Sequence, residues 1–156
     1  MTGTTSMQPL NFPREYEFDI RADGERSVIF DRVRRQYVQL SPEEWVRQNL
    51  LRYLAEDLGF PEGLTAVEQG FVDRGIQARA DVVVHDRQGN ALVMAECKAP
   101  DVKLRQNAVD QVARYNAAVG ARYLVVTNGL DHYCWTVDPE RHSYRFLEQL
   151  PRYEDL

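Results

Sequence analysis

The chain has 156 residues, of which 44% are hydrophobic and 28% charged, and its formal net charge is −5. This length predicts one domain, from residue 14 to 156, after a flexible segment at residues 1–13. The acidic balance argues against broad adhesion to nucleic acid, although it leaves room for a local arginine-lined groove. No run approaches the roughly 20 apolar residues of a membrane span, and the first residues lack the features of a secretory signal. We therefore expect no membrane partner and a cytoplasmic location.

Two short β-like pieces, residues 27–30 and 37–40, predict a small hairpin near the start of the domain. A basic cluster lies between them, formed by Arg32, Arg34 and Arg35. Such a cluster either contacts phosphate or forms a solvated turn, and the solvated turn is the more common outcome.

A helix is predicted to begin at Ser41, because serine is a good N-cap and Pro42 suits the first helical position. Apolar residues then repeat on one face until Gly59 ends the helix. Glu44 stands where a capping box has its acidic residue, so it either caps the helix or also reaches a functional site. Gln48 lies one turn later on the same side and is a candidate substrate-lining residue.

Three strands are predicted to follow and to form the centre of a sheet. Residues 64–72 read as the first, with a bend near Gly70. Residues 79–86 and 91–100 read as a hairpin around a loop at residues 87–90.

Two acidic residues meet in this hairpin. The loop sets Asp86 opposite Ala91, and counting back along the antiparallel pair sets Asp81 opposite Glu96. Because strand side chains alternate, Asp81 is expected on the same face as Val83. The residues flanking the two acids are apolar, as in a central hairpin: Val82, Val84, Val93 and Ala95.

Directly opposed residues have Cβ atoms roughly 4.5–5.5 Å apart, and two like charges at that spacing repel. A divalent cation would make the pair favourable, and Mg²⁺ prefers carboxylate oxygens. Lys98 follows Glu96 by two residues, so its ammonium is expected on the same face. Only two of the 19 basic residues are lysines, which favours a chemical role for this one. Asp81, Glu96 and Lys98 are therefore candidate catalytic residues.

Two alternatives to this hypothesis stay open. The three side chains could be the solvated polar face of an edge hairpin, where a Glu/Lys pair contributes little to stability. A register displaced by one residue would send Glu96 to the face opposite Asp81, leaving a structural α/β domain.

The last third of the chain predicts a helix at residues 103–119, with Gly120 as its stop. Gln111 and Tyr115 are four residues apart and share a face of this helix. For such a pair, a core tyrosine and a surface glutamine are the ordinary outcome.

Three further strands are predicted beyond this helix, at residues 122–127, 130–137 and 144–147, the last at an edge. Asn128 and Gly129 indicate a two-residue turn between the first two. A helical crossover before these strands implies a mixed sheet with helices packed on it.

Several other function classes lack their motifs in this sequence. The sequence has no phosphate-binding loop of the ATPase type and no glycine-rich dinucleotide fingerprint. No Cys/His spacing fits a zinc site. Cys97 and Cys134 each lie in a predicted strand, so a reducing compartment would leave both as buried thiols.

Several stretches resemble, in sequence and in order, the N-terminal domain of type I restriction enzyme R (HsdR) proteins in a small stand-alone form. More widely, the arrangement resembles the PD-(D/E)xK nuclease superfamily. The similarity runs from about residue 28 to 151. It implies a restriction-endonuclease-like α/β fold, with a mixed central β-sheet flanked by helices. The stretches are residues 41–48, 79–81, 96–100, 110–116 and 127–129.

The resemblance implies a Mg²⁺-dependent (or Mn²⁺-dependent) endonuclease acting on DNA. Asp81, Glu96 and the backbone carbonyl of Cys97 would bind the metal ion, and Lys98 would position the attacking water. Ala80 stands where the superfamily name has proline, which leaves this chemistry intact. The resemblance also sets Glu44 at the margin of the site, and Gln111 and Tyr115 along its DNA side.

The same resemblance bears on partners. R subunits carry a helicase motor after this domain, so a separately encoded motor or restriction-system subunit is an expected partner. A homodimer would suit double-strand cutting. The alternative function is a non-catalytic module that binds nucleic acid or docks a partner while retaining the nuclease fold.

Overall fold

The computed structural model describes residues 7–156, which form a six-stranded sheet, a small three-stranded sheet and two α-helices. The small sheet consists of β1 (Ile20–Asp23), β2 (Arg26–Asp31) and β3 (Gln36–Gln39). The helices are α1 (Pro42–Arg52) and α2 (Gln106–Val119). The large sheet consists of β4 (Thr65–Asp73), β5 (Ile76–His85), β6 (Ala91–Cys97), β7 (Tyr123–Thr127), β8 (His132–Asp138) and β9 (Ser143–Leu147).

The strands of the large sheet lie in chain order, from β4 at one edge to β9 at the other. All neighbours are antiparallel except β6 and β7, which are parallel and joined by the crossover helix α2. The predicted mixed sheet with packed helices is confirmed. The hairpin that carries the two candidate acids is internal to the sheet, as predicted.

Two hydrophobic clusters cover the two faces of this sheet, because successive side chains of a strand point to opposite sides. We call them the α1-side cluster and the α2-side cluster, after the helix that packs in each. Val82 and Val84 pack in one cluster with residues of α1, such as Val46 and Leu50. Val83 packs in the other cluster, which includes Val112 of α2. Helix α1 contacts β5 and β6, and α2 contacts β4, β6 and β7.

Helix α1 begins as the sequence predicts. The Ser41 hydroxyl accepts a hydrogen bond from the Glu44 backbone N–H at 3.0 Å, which satisfies one of the free N–H groups at the helix start. The last turn widens into a π-helix, Tyr53–Asp57, and Gly59 follows with a φ of +77°. Helix α2 ends at the predicted stop, because Gly120 adopts a left-handed conformation.

The loop of the central hairpin differs from the prediction. His85, not Asp86, pairs with Ala91, and the register shifts at a bulge between Val84 and His85. The Asp86 side chain instead organises a five-residue loop, residues 86–90, by accepting hydrogen bonds from the backbone N–H groups of Gln88 and Asn90. Beyond the bulge, the predicted register holds as far as Val82 opposite Ala95.

The predicted N-terminal hairpin is part of a three-stranded sheet, because residues of β1 add a further strand beside β2. The predicted two-residue turn at Asn128 and Gly129 is wrong. Asn128 accepts hydrogen bonds from the backbone N–H groups of Leu130 and Asp131, which makes a four-residue loop, residues 128–131. Residues 130 and 131 therefore lie outside β8.

Residues 7–13 are the described part of the segment that the sequence predicts to be flexible. Leu10 and Phe12 pack against the α1-side cluster, and the Asn11 backbone N–H donates to the Gly129 carbonyl at 2.7 Å. Gly129 has a φ of +85°, which favours glycine, and a Cβ there would lie 2.8 Å from a methyl group of Leu10. No helix in the described residues is long and apolar enough to cross a membrane.

Candidate metal-binding and catalytic site

The candidate site forms where β5 and β6 lie side by side beyond their last regular pair. One register step past Val82 and Ala95 brings Asp81 opposite Glu96. The Cys97 backbone N–H donates to Oδ2 of Asp81 at 2.7 Å, and the Asp81 backbone N–H donates to Oε1 of Glu96 at 3.3 Å. The sequence therefore predicted correctly that these two acids meet, and the register displaced by one residue is excluded.

Glu96 shows the electrostatic consequence of this pairing. Its side chain is buried, with 7% of the residue exposed. Burial, and then the negative charge of Asp81, raise the pKa of Glu96 to about 8. Two carboxylates this close disfavour a second negative charge, whereas a cation between them would favour it.

The face of Asp81 differs from the prediction. Strict alternation would send Ala80 and Val83 to opposite faces, because they are three residues apart, yet both pack in the α2-side cluster. Asp81 contacts Arg47 of α1, on the other side of the sheet from Val83. This break in the alternation of β5 coincides with an unpaired residue on the neighbouring strand β4. Glu68 lies between the pairs Val67–Val82 and Gln69–Ala80 and has a φ of +55°. The sequence predicted a bend near Gly70, and the left-handed residue is instead Glu68.

Lys98 follows directly after β6. Its backbone N–H donates to the Thr127 carbonyl at 2.8 Å, which fixes the chain at the carboxyl ends of β6 and β7. The positive charge of Lys98 acts on Glu96 and lowers its pKa, against the larger effects of burial and of Asp81. The catalytic role of Lys98 stays a prediction.

Arg47 is a buried cation beside this pair, and it was not among the predicted site residues. Its Nε and Nη2 donate to the two carboxylate oxygens of Glu44 at 2.9 and 2.6 Å. Its Nη1 lies 3.4 Å from Oδ1 of Asp81, and Nη2 lies 3.5 Å from Oε1 of Glu68. Glu44 and Arg47 are three residues apart on a helix, so the sequence carried a signal for this ion pair.

Glu44 and Gln48 lie behind the site. Glu44 is 6% exposed and Gln48 2% exposed, and the Gln48 amide donates to Oε2 of Glu44 at 3.1 Å. The Glu44 side chain closes no capping box, because its oxygens are bonded to Arg47, Arg34 and Gln48. Arg47 thus joins Glu44 to Asp81.

The small sheet supplies the rest of this cluster. Asp31 at the end of β2 is fully buried, and it accepts hydrogen bonds from the side chains of Arg34 at 2.6 Å and Gln48 at 3.0 Å. Arg34 also donates to Glu44 at 2.7 Å, so its side chain pairs with buried acids and is not the solvated one that the commoner alternative predicts. We call Asp31, Arg34, Glu44, Arg47 and Gln48 the buried ion network.

Glu43, the first acid of the pair that opens α1, is exposed on the first turn of the helix. Partial burial and the charge of Asp81 raise its pKa, while the charges of Lys98 and Arg47 lower it.

Gln111 and Tyr115 lie together on α2, as predicted. The Gln111 amide donates to the Tyr115 hydroxyl at 3.3 Å. The Tyr115 ring packs edge-on against Phe71 of β4, with centroids 5.0 Å apart, and belongs partly to the α2-side cluster. Both side chains are half-buried, so the pair is neither wholly core nor wholly surface.

The donor set suits a hard divalent cation. Asp81, Glu96 and the Cys97 carbonyl offer oxygen atoms, which Mg²⁺ prefers, and Mg²⁺ usually keeps several water ligands beside one or two carboxylates. Among residues 7–156, no group of three or more His, Cys, Asp or Glu side chains is arranged to hold a metal ion. The protein would therefore contribute two side-chain carboxylates and the Cys97 carbonyl, and water or substrate the remaining ligands.

The fold and the paired acids define a class: this is a restriction-endonuclease-like α/β domain, consistent with the PD-(D/E)xK superfamily. Residues 42–151 match the family described as "Type I restriction enzyme R protein N terminus (HSDR_N)". The chain belongs to that family. None of the curated proteins matches the chain at a significant level.

A solved structure supports the fold. The chain is similar to the fragment structure of a putative HsdR subunit of a type I restriction enzyme from Vibrio vulnificus YJ016, with a TM-score of 0.55 and 21% sequence identity. The match covers 75% of this chain and 24% of that chain. The match therefore spans about a quarter of the length of that subunit fragment.

Proposed function

We propose that the chain is a Mg²⁺-dependent DNA endonuclease domain that hydrolyses phosphodiester bonds. The observation that carries the proposal is the contact between Asp81 and Glu96 at the internal hairpin. Lys98 follows Glu96 by two residues, directly after the end of β6. The family relation supports the same function. DNA and other restriction-system subunits are the partners that this relation favours.

In this proposal each group has a distinct task. Asp81, Glu96 and the Cys97 carbonyl would hold a divalent cation, which would supply Lewis-acid polarisation of the phosphate and a more acidic attacking water. The Lys98 ammonium orients that water and stabilises the negative charge that develops on the phosphate oxygens. The 3′ oxygen leaves in line with the attack.

Gln111 and Tyr115 would face the DNA from α2. Their side chains are half-buried and bonded to each other, and the Tyr115 ring is fixed by Phe71. A fixed amide and hydroxyl at the margin of the site can orient a phosphate or sugar without taking part in the chemical step.

The proposal is tested by incubating the protein with supercoiled plasmid and with single-stranded DNA in Mg²⁺ or Mn²⁺. Lys98→Ala is expected to lose about 100-fold or more in rate. Lys103→Ala is the matched control, because Lys103 is the other lysine and is exposed. Equal cutting by the wild type and Lys98→Ala would identify a contaminating nuclease and overturn the proposal.

One observation favours a second candidate, a non-catalytic nucleic-acid-binding or partner-docking module. Arg47 is a permanent cation 3.4 Å from Asp81, so it stabilises that carboxylate without a metal ion. Titration calorimetry with Mn²⁺ separates the two functions. A docking module needs no cation at Asp81 and Glu96, whereas the nuclease binds Mn²⁺ and loses it in Asp81→Asn.

A further inference from the structure

Arg47 is bonded to Glu44, which also accepts from Arg34 after β2, and it contacts Asp81 in the candidate site. This position favours a role beyond stability. Arg47 is 7% exposed, and its guanidinium donates to both carboxylate oxygens of Glu44. A fork held at two points has a fixed plane. The remaining nitrogen, Nη1, is thereby directed at Oδ1 of Asp81, 3.4 Å away.

The Asp81 carboxylate is thus in contact on both of its oxygens. Oδ2 accepts the Cys97 backbone N–H at 2.7 Å, and Oδ1 faces Arg47. These two contacts leave the carboxylate little freedom to rotate about its side-chain torsions. Its remaining lone pairs are held in a fixed direction relative to Glu96 on the neighbouring strand.

Glu44, the residue that holds Arg47, is itself fixed by further hydrogen bonds. Glu44 accepts further hydrogen bonds from Arg34 and Gln48, and Asp31, fully buried, accepts from both of these donors. Every charge in this buried ion network therefore has an opposite charge or a hydrogen-bond donor beside it. Such fully satisfied networks are rigid.

We propose that Arg47 is a positioning residue that fixes the Asp81 carboxylate for cation binding, with Glu44 and the small sheet holding Arg47 in place. The proposal rests on the proposed nuclease function. Hydrogen-bond partners behind a metal ligand typically change metal affinity or activity by about 10- to 100-fold when removed. Arg47 stands in that relation to Asp81.

The sign of the effect separates this role from simple electrostatics. A cation beside Asp81 repels Mn²⁺, so an Arg47 that acted only through its charge would weaken metal binding, and its removal would strengthen it. A positioning Arg47 has the opposite effect. Arg47→Gln is therefore expected to bind Mn²⁺ about 10- to 100-fold more weakly than the wild type.

The experiment measures Mn²⁺ affinity by calorimetry for the wild type, Arg47→Gln and Arg47→Lys, with thermal unfolding as the fold control. Arg47→Lys retains the charge and loses the planar fork, so an intermediate affinity is expected. It also serves as the test if Arg47→Gln fails to fold. Arg52→Gln is the matched control, since Arg52 lies on the same helix and donates to the Glu17 carbonyl.

Two results would overturn the proposal. Unchanged or tighter Mn²⁺ binding by the Arg47 variants, with a wild type that binds Mn²⁺ and cuts DNA, would remove the role of Arg47 and leave the nuclease function standing. A wild type that neither binds Mn²⁺ nor cuts DNA would remove both.

Discussion

The backbone N–H of Cys97 donates to the Asp81 carboxylate across 2.7 Å, and this contact links β5 to β6 where their regular pairing ends. A side chain that takes a main-chain partner is fixed more firmly than one that reaches only solvent. The Cys97 carbonyl, a proposed metal ligand, belongs to the residue that makes this bond. Asp81 is therefore the residue on which the geometry of the proposed site depends most directly.

Asp81→Asn is expected to abolish binding of Mg²⁺ and Mn²⁺, because an amide has no charge to offer the cation. In the wild type, saturating Mg²⁺ should raise the unfolding temperature, since a ligand that binds only the folded state stabilises it. The variant should show no such rise in differential scanning fluorimetry. Asp138→Asn, at the far end of β8, is the control, and a Mg²⁺-dependent rise in Asp81→Asn would contradict the assignment.

Gln111→Ala is expected to lower DNA cleavage by about 10-fold or more while leaving Mn²⁺ affinity unchanged, because Gln111 lies on α2 and bonds to Tyr115. Steady-state cleavage and calorimetry measure the two quantities separately. Gln106→Ala is the matched control on the same helix, since the exposed side chain of Gln106 bonds to Asp110, away from Tyr115. Equal rates for both variants would remove Gln111 from the site.

The acids of the site were predictable, because the alternation of polar and β-branched residues and the short loop limit the hairpin to few registers. The bulge beside His85 was not, since alternation carries no information about an inserted residue. The bulge leaves the predicted partner of Asp81 unchanged. The predicted pairing of Asp86 with Ala91 implies Val84 opposite Val93, and that pair is the one observed beyond the bulge.

The support behind the site could not be predicted. The contact of Asp31 with Gln48 joins residues 17 positions apart, and it depends on how the small sheet lies against α1. The sequence shows only that Arg34 belongs to a basic cluster, which usually means solvent. Burial of its partners Asp31 and Glu44 makes it an internal cation instead.

The acid limb of stability should depend on Glu44. Burial raises its pKa, but hydrogen bonds from Arg47 and Arg34 more than offset this and lower the pKa from 4.5 to about 2. A depressed carboxylate pKa contributes stability that is present above about pH 4.5 and is lost as the pH falls through about 2. The wild type should therefore lose stability between pH 4.5 and 2 more steeply than Glu44→Gln.

Urea unfolding at a series of pH values measures this difference, with Glu154→Gln as the control, because Glu154 is exposed near the C-terminus. Parallel stability curves for the wild type and Glu44→Gln would contradict the pairing of Glu44 with the two arginines.

Both cysteines are expected to react slowly with a thiol reagent in the native protein at neutral pH. Burial raises the pKa of Cys97, and it raises that of Cys134 to about 11, so the reactive thiolate is scarce. Neither takes part in a disulfide. A colourimetric thiol assay should find two reactive groups in guanidinium and none on the same time scale without it, and a fast native thiol would contradict this.

Leu54→Ala is expected to destabilise the domain by about 2–5 kcal/mol, because it leaves a cavity at a buried leucine. Leu54 is 2% exposed and packs in the α1-side cluster, within the π-helical turn that follows α1. Chemical denaturation should show the loss as a lower midpoint with an unchanged slope. Ile76→Val is the control, since Ile76 is 71% exposed and its change should leave the midpoint where it is. A midpoint in Leu54→Ala equal to that of the wild type would show that this turn contributes little to the core.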